Sequence, residues 1–373
     1  IEGWQYRDEK DVLETYDGAG RFLSEKSRAG VLHTIAYGVN GRISTITDSF
    51  GRQLTLTYDT SNRINGLYLP GGSGHYAYAY DSGGNLHSVT APDSTVRTYI
   101  YDEPSQVVSG SRTNLLTGIQ DESSQRFSTY RYDGSSRAIE SFHGALGGVQ
   151  VTYNPSGTST VVDGAGGSRT YTFQTINSVN LVSQVSGPVC SGCGVNQTVL
   201  YNAAGDVIDR TDFNGNRTVL SPNGRHLEES RTEAYATPRA RTIATQWHAT
   251  YRVPTQIDEP GRRTTFTHNA AGNVLTKTVL DTASSESRTW TYTYNSFGRI
   301  LTENGPRTDV TDVTTNTYYT CTTGTQCGQV NTVTNALGHV TTYNTYNAHG
   351  QPLTITDPNG VVTTLTYDAR QRL

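Results

Sequence analysis

The sequence predicts an all-β protein, on three observations: a strand-and-turn composition, a tyrosine that recurs about every 21 residues, and a turn-forming tetrad after each of these tyrosines. Hydrophobic residues make up 34% and charged residues 17% of the 373 residues, whereas Gly occurs 38 times and Tyr 24 times. Thr and Tyr suit half-buried strands, and Gly and Asn suit tight turns. The many tyrosines and the regular apolar spacing argue against a disordered chain.

The recurring tyrosines define a sequence repeat. Intervals of 21, 21, 22 and 21 residues separate Tyr16, Tyr37, Tyr58, Tyr80 and Tyr101. A fixed period near 20 residues is typical of repeat architectures, in which each unit packs on its neighbours. We therefore predict one continuous repeat array over residues 1–373, with looser insertions near 178–200 and 305–330, where the period stretches. The absence of Met, even at position 1, suggests a fragment of a larger protein.

Each of these tyrosines precedes a turn-like tetrad, and many of the tetrads have the form [D/N]-x-x-G, as in Asp17 to Gly20. A type I turn favours Asp or Asn at its first position, and Gly or Asn accepts the left-handed backbone that follows. Asn62 replaces the Gly once, which fits this conformation. A second class of turn follows about ten residues later, so one repeat holds two short antiparallel strands and two turns. The repeat-defining residues are Tyr16, Asp17, Gly20, Tyr58, Asp59, Tyr80, Asp81, Gly84, Tyr132, Asp133, Tyr201, Asn202, Gly205, Tyr294, Asn295, Gly298, Tyr346, Asn347, Gly350, Tyr367 and Asp368.

The strands that lead into the tyrosines alternate bulky and small residues, as in "LTLTY" at 54–58 and "WTYTY" at 290–294. Such alternation predicts a sheet with one bulky face and one small or polar face. In "GRISTIT", Ile43 and Ile46 are three residues apart, which a β-bulge would reconcile. Within 224–251, "HLEESRTEAY" could form a short helix, but the Thr-rich flanks favour irregular strands.

The pattern Tyr-Asp-x-x-Gly-Arg, followed after about ten residues by Asp-x-x-Gly-x-x-Thr, resembles the YD repeat of bacterial RHS proteins. The segments "YDGAGRFLSEKSRAG", "YNAAGDVIDRTDFNGNRT" and "YNAHGQPLTITDPNGVVTTLTYDARQRL" carry this resemblance. Similar proteins include polymorphic toxins, insecticidal toxin complex components and teneurins. The resemblance implies a long antiparallel hairpin array wound as a spiral into a hollow shell. In bacterial members the shell encloses a C-terminal toxin, which is released by self-cleavage near a DPxG element. "DPNG" at 357–360 looks like that element, but Tyr367 and Asp368 follow at repeat spacing, so Asp357 is interpreted as an ordinary repeat turn.

No catalytic motif is present, and we expect no enzyme activity, cofactor or metal site. Lys occurs only three times, which leaves no P-loop, and neither H-E-x-x-H nor G-x-S-x-G occurs. His268 occupies the tyrosine position of a repeat, where a structural role is expected. A calcium site built from turn carboxylates is a less favoured alternative. The net charge of −4 gives no reason to expect nucleic acid, and no apolar run is long enough to span a membrane.

The four cysteines leave three alternatives open. Cys190 and Cys193 form "CSGC", and Cys321 and Cys327 form "CTTGTQC", both in Gly-, Ser- and Thr-rich stretches. Local disulfides are the favoured interpretation and would indicate an extracytoplasmic setting. Reduced structural thiols and a metal site shared by both pairs are the alternatives.

The expected function is structural. The resemblance implies a wall that encapsulates or displays a toxin or effector domain of the same polypeptide, in a secreted or cell-surface bacterial protein. The alternative is a secreted or surface adhesin, a carbohydrate-binding module or a fibre-forming module. Rows of tyrosine can stack on sugars, but cross-strand packing is the favoured interpretation. A partial sheet also has two open edges, through which glycans or other copies of the chain could bind.

Overall fold

The structure, a computed structural model, describes residues 3–144, 147–188, 196–321 and 324–373. Over these residues the chain forms a 32-stranded antiparallel sheet, with a short 3₁₀ turn at Pro70–Gly72. The all-β prediction is confirmed, and 224–251 contains strands, as favoured.

The strands follow one another at short intervals along the chain. The first sixteen are β1 (Trp4–Arg7), β2 (Leu13–Tyr16), β3 (Phe22–Lys26), β4 (Leu32–Tyr37), β5 (Ile43–Asp48), β6 (Gln53–Tyr58), β7 (Ile64–Tyr68), β8 (His75–Tyr80), β9 (Leu86–Thr90), β10 (Val96–Tyr101), β11 (Leu116–Gln120), β12 (Arg126–Tyr132), β13 (Ala138–Phe142), β14 (Gly148–Tyr153), β15 (Ser159–Val162) and β16 (Ser168–Ile176). The remaining sixteen are β17 (Val179–Ser186), β18 (Asn196–Tyr201), β19 (Val207–Asp212), β20 (Arg217–Pro222), β21 (Glu228–Glu233), β22 (Arg241–Trp247), β23 (Pro254–Glu259), β24 (Arg262–His268), β25 (Val274–Asp281), β26 (Ser287–Tyr294), β27 (Ile300–Asn304), β28 (Val313–Tyr318), β29 (Val330–Thr334), β30 (Val340–Tyr346), β31 (Pro352–Thr356) and β32 (Val362–Thr364).

Strands that are adjacent in sequence pair with each other, because most of the connecting turns are too short for anything but a hairpin. The chain divides into two compact units. The first comprises Ile1–Ala77, Ala91–Asp93 and Thr245–Leu373, and the second comprises Tyr78–Thr90 and Ser94–Ala244.

A β-bulge recurs at the tyrosine turns. Tyr37 pairs with Ile43 and Ala36 pairs with Thr45, so Ser44 is the extra residue. The bulge returns Ile43 and Ile46 to one face of the sheet, which confirms the expectation for "GRISTIT". Equivalent register shifts lie opposite Tyr16, Tyr58, Tyr101, Tyr132, Tyr201, His268, Tyr294, Tyr318 and Tyr346.

Few side chains are fully buried, because each strand has most of one or both faces at the surface of a single sheet layer. In the first unit the buried hydrophobic side chains include Phe50, Ala91, Cys327 and Tyr346. In the second unit, Val185 and Thr117 are almost completely buried.

The second unit contains an ion pair that lies over a glycine. The guanidinium of Arg126 donates to both carboxylate oxygens of Glu103, at 3.1 and 2.7 Å, and to the carbonyl of Thr117 at 2.8 Å. Gly118 lies directly beneath this guanidinium, where any side chain would collide with it. Arg126 therefore fastens the loop that contains Glu103 onto β11 and β12.

Candidate functional site

The repeat turn is the smallest unit of the candidate site. The Oδ1 atom of Asp17 accepts hydrogen bonds from the backbone N–H groups of Ala19 and Arg21, both at 2.9 Å. The Gly20 N–H then donates to the Asp17 carbonyl, and Gly20 has φ 81°. The Asp17 carboxylate thus accepts from backbone N–H groups that the turn leaves without a carbonyl partner, as in Asx turns.

The other predicted turn residues have the same arrangement. Oδ1 accepts from backbone N–H groups two or four residues later at Asp59, Asp81, Asp133, Asn202, Asn295, Asn347 and Asp368. Positive φ occurs at Gly84, Gly205, Gly298 and Gly350. Asp357 caps its turn in this way too, through Asn359 and Val361, so it serves as a repeat turn in this structure. Asn62 has φ 63°, which confirms its expected left-handed conformation.

Arginine adds a second bond to many of these turns. The Nε of Arg21 donates to Oδ2 of Asp17 at 2.7 Å, and Arg63 does the same to Asp59 at 2.8 Å. Backbone and guanidinium hydrogen bonds from Arg21 hold the pKa of the Asp17 carboxyl below its ordinary value. The Arg21 guanidinium also lies over the ring of Tyr37, 5.4 Å from its centroid. One arginine therefore links the turn of its own repeat to the tyrosine of the next.

The tyrosine hydroxyls form a regular set of hydrogen bonds that sequence reasoning missed. Tyr58 donates to the carbonyl of Ile43 at 2.8 Å, and Ile43 is the residue paired with the preceding tyrosine, Tyr37. Each such bond therefore fastens one hairpin to the bulge of the hairpin before it. We call these residues the ladder tyrosines: Tyr37, Tyr58, Tyr101, Tyr132, Tyr153, Tyr201, Tyr294, Tyr318, Tyr346 and Tyr367, with O···O distances of 2.6–3.1 Å.

Burial raises the pKa of several ladder tyrosines, that of Tyr346 to about 12. Their hydroxyls therefore stay protonated and able to donate at any ordinary pH. Tyr16 differs, because its hydroxyl donates to the Glu14 carboxylate. Tyr80 ends β8 immediately before the turn that Asp81 caps. The sequence signal for these hydroxyl bonds was the recurrence of Tyr at positions where Phe would pack equally well.

Within the first unit, turns from the beginning of the chain pack against turns from its end. The Arg28 guanidinium donates to the carbonyl of Gly272, and the Arg52 Nη1 donates to the carbonyl of His349 at 3.2 Å. We call this row of turn-to-turn contacts the seam. On one side it is formed by residues 8–11, 27–30, 48–52, 70–73 and 92–93. On the other side it is formed by residues 248–252, 268–272, 295–299, 319–321, 324–329, 347–350 and 370.

The remaining seam contacts are of mixed chemistry. Asp11 is almost fully buried, and its Oδ2 accepts the backbone N–H of Arg252 at 2.8 Å. The rings of Phe50 and Phe297 lie 5.0 Å apart, and Arg370 forms an ion pair with Asp93 at 2.6 Å.

Seam glycines differ from other turn glycines in their surroundings. A Cβ at Gly298 would lie 2.6 Å from the Cβ of Ala29, and one at Gly328 would overlap the Phe50 ring. A Cβ at Gly20 would meet no atom within 4 Å. The glycines of the seam are thus required for close approach as well as for positive φ.

The predicted cysteine pairs have different outcomes. The sulfur atoms of Cys321 and Cys327 are bonded to each other, with the Cα atoms 5.0 Å apart, so neither sulfur is a thiolate ligand in this structure. The bond closes the loop between β28 and β29, and Gly328 of this loop packs on Phe50 at the seam. Cys190 and Cys193 lie outside the described residues.

An open cavity of about 840 Å³ lies along the seam, bounded by Phe50, Tyr68, Pro70, Gly324 and Ala348. The described part of the chain contains no cluster of three His, Cys, Asp or Glu side chains able to hold a metal ion. It also contains no helix that is long and apolar enough to cross a membrane. What the arrangement does chemically is to join strand to strand and turn to turn.

Comparison with known proteins agrees with this geometry at both ends of the chain. A family model described as Teneurin YD-shell matches residues 5–161, and one described as RHS Repeat matches residues 346–373. Residues 5–161 therefore carry a YD-shell sequence, and residues 346–373 carry an RHS repeat.

Solved structures share the fold of almost the whole chain. The crystal structure of TcdB2-TccC3-Cdc42 has a TM-score of 0.65 at 12% identity, covering 99% of this chain and 22% of that one. The Tc holotoxin pore of Photorhabdus luminescens has a TM-score of 0.53 at 10% identity, covering 94% of this chain and 23% of that one. At these identities the likeness concerns the fold.

Among curated proteins, the chain is similar to a double-stranded DNA deaminase toxin A of Burkholderia cenocepacia (strain H111). The two are 25% identical over 103 residues, which is 28% of this chain and 7% of the relative. The chain thus spans about a fifth of the solved structures and a small part of the curated relative.

Proposed function

We propose that this YD-repeat chain is part of a wall that encloses or displays a toxin or effector segment of the same polypeptide and performs no catalysis itself. The observation that carries the proposal is that the repeat residues form their bonds within the chain. The Asp or Asn caps, the arginines and the ladder tyrosines all bond to the chain's own backbone and side chains. Their chemistry holds a sheet together.

The seam supports the same proposal. A single sheet layer has a weak hydrophobic core, so it gains stability from neighbouring layers or edges. Within the first unit, turns of residues 8–93 contact turns of residues 248–370 through backbone carbonyls, aromatic rings and ion pairs. Contacts of this kind suit a wall that closes on itself.

The comparisons agree with a toxin-associated wall. The relatives are named as a DNA deaminase toxin and as Tc toxin components. A cargo on the same polypeptide is therefore the proposed partner, and nucleic acid is not a proposed partner of this chain. The Cys321–Cys327 disulfide supports a secreted or cell-surface location, where such bonds persist.

The ladder tyrosines do not favour the adhesin alternative. Their hydroxyls are engaged by carbonyl groups, and arginines lie over several of the rings, for example Arg137 at 4.3 Å from the centroid of Tyr153. Rings held in this way offer less free surface to a sugar than an exposed aromatic platform does.

Limited proteolysis of the intact gene product, read out by mass spectrometry, tests the proposal. We expect the segment outside the repeats to resist protease in the native protein and to be digested rapidly after denaturation. Cleavage of that segment at the rate of the isolated segment would contradict the proposal. Specific binding of residues 1–373 to a glycan array would favour the adhesin alternative instead.

A further inference from the structure

His268 stands at the tyrosine position of its repeat and lies beside the seam. It ends β24 and pairs with Val274 opposite a bulge, as the ladder tyrosines do in their repeats. Its Nε2 atom is buried and has no hydrogen-bond partner. A tyrosine at this position would bring a neutral donor, whereas histidine brings a group that can take up a proton.

The groups that face His268 come from both sides of the seam. The His248 ring lies edge-on at 5.8 Å, between centroids, and the Tyr251 ring lies 5.1 Å from that of His248. Across the seam, Arg28 places its guanidinium on the carbonyls of Ala271 and Gly272, four residues beyond His268 at most. Tyr294 of β26 also faces Arg28, and its hydroxyl is engaged by Val274.

A proton on Nε2 of His268 would therefore meet a cation and no acceptor. Burial is the main cause that lowers the pKa of His268, and the charges of His248 and Arg28 lower it further. The sign follows from linkage: a histidine whose pKa is lower in the folded state binds more protons when its surroundings open. The contacts around His268 are then most stable at neutral pH and weaken as the pH falls below about 6.5.

A second histidine occupies a similar position further along the seam. His349 lies in the turn that Asn347 caps, and its Nε2 is 2.7 Å from the Ser73 hydroxyl on the other side. The Arg52 guanidinium binds the His349 carbonyl and is itself paired with Asp48.

The groups around His349 likewise predict that its contacts weaken as the pH falls. Burial, followed by the charge of Arg52, lowers the pKa of His349. His33 and Asp48 line the same small cavity, so the facing groups are one arginine, its paired carboxylate, one histidine and a hydroxyl. The two seam histidines belong to different turns and can act independently.

We propose that the seam is an acid-responsive closure, in which protonation of His268 and His349 loosens the turn-to-turn contacts while the hairpins stay paired. The repeat turns and the ladder do not respond in this range, because the pKa of Asp17 and Asp59 is lowered and that of Tyr294 and Tyr346 is raised. The inference concerns the seam itself and does not depend on the presence of a cargo.

Hydrogen–deuterium exchange of the full chain at about pH 7.5 and about pH 5.5, corrected for intrinsic exchange, tests the proposal. The informative peptides cover the seam turns at 27–30, 268–272 and 347–350. Control peptides cover turns 17–20 and 357–360, whose glycines have open space around them. We expect protection at the seam turns to fall at the lower pH, by up to about tenfold per pH unit for each proton taken up. Equal changes at seam and control turns would overturn the proposal.

Two variants assign the effect to the histidines. His268→Tyr restores the residue type of the repeat, and His349→Gln keeps a polar side chain near Ser73. We expect each variant to remove the acid response at its own turn and retain it at the other, and the double variant to remove both. His339→Gln, at an exposed turn, is the matched control and should leave the response unchanged. If the double variant keeps the full response, the proposal is wrong.

Discussion

The arginine and tyrosine side chains of the repeat make two kinds of contact each. An arginine pairs with the carboxylate of its own turn and lies over the tyrosine of the next repeat, as Arg21 does with Asp17 and Tyr37. A ladder tyrosine packs in its strand and donates its hydroxyl to a carbonyl of the preceding strand, as Tyr37 of β4 does to Phe22 of β3. Because each contact joins neighbouring repeats, stability is expected to follow nearest-neighbour rules.

Replacing Tyr58 by Phe keeps the ring but removes the hydrogen bond to the Ile43 carbonyl. We expect a loss of about 1 kcal/mol in the free energy of unfolding, since a buried carbonyl loses its donor. Urea denaturation followed by tyrosine fluorescence measures it. Tyr68→Phe is the matched control, because Tyr68 is 44% exposed and stacks on His75. Equal stabilities for the two variants would show that the hydroxyls contribute nothing.

Acid should weaken the turns in a definite pH range. Hydrogen bonds from the backbone and guanidinium of Arg63 hold the pKa of Asp59 below its ordinary 3.8. A lowered carboxyl pKa stabilises the fold above about pH 4, and this stabilisation is lost as the pH falls through the folded-state value. We expect Asp59→Asn to flatten the acid limb of a stability–pH profile measured between about pH 5 and about pH 2.5. The exposed Glu9→Gln serves as control, and an unchanged acid limb in Asp59→Asn would contradict the assignment.

At the level of turns and hairpins, glycines with the same backbone conformation have different surroundings. We expect Gly20→Ala to cost about 1 kcal/mol from its positive φ alone. Gly298→Ala should cost about 2–4 kcal/mol, because its new Cβ also lies 2.6 Å from Ala29. Thermal unfolding of the two variants measures the difference. Indistinguishable melting curves would mean that the seam is not closely packed in solution.

In the second unit, the Arg126 guanidinium connects Glu103 to the carbonyl of Thr117. We expect Arg126→Met to destabilise this unit by about 1 kcal/mol, since Glu103 and a backbone carbonyl both lose a charged donor. Chemical denaturation provides the measurement. Arg97→Met, which removes an exposed pair with Glu122, should be close to neutral. A larger loss in Arg97→Met than in Arg126→Met would refute this account.

Sequence periodicity was enough to predict the hairpins, because the turn cap, the left-handed Gly and the strand alternation are all local. The bulge at Ser44 was also within reach, since the spacing of Ile43 and Ile46 breaks strict alternation. The hydroxyl bond of Tyr58 was not predicted, because packing alone explains a recurring aromatic residue. A comparison of Tyr with Phe at these positions would have been the only local indication.

The seam could not be predicted from local patterns. Arg28 and Gly272 are more than 240 residues apart, and nothing in either turn distinguishes it from turns that face solvent. Non-glycine residues at left-handed positions, such as Ser136 and His226, likewise obscure which turns belong to the pattern. Which distant turns pack together depends on the number of residues that separate them in the sequence. The repeat period alone does not determine that number.

In the proposed wall, similar turn and strand contacts recur along the described residues, and a seam fastens the first unit. Different side chains then control the stability of the hairpins and that of the seam. Turn caps and tyrosines stabilise the hairpins, whereas glycine contacts, arginines and two histidines control the seam. A protein with this division of roles can keep its strands paired while its closure responds to conditions. The edge strands β1 and β32 each pair with one neighbour in the described residues, so they remain sites where further strands can add.

An electron cryo-microscopy reconstruction of the intact gene product gives the most direct test of the proposed wall. We predict density for the non-repeat segment on the enclosed side of the sheet, in contact with the strands described in this structure. A folded segment held free in solvent, with empty space inside the repeat sheet, would contradict the account.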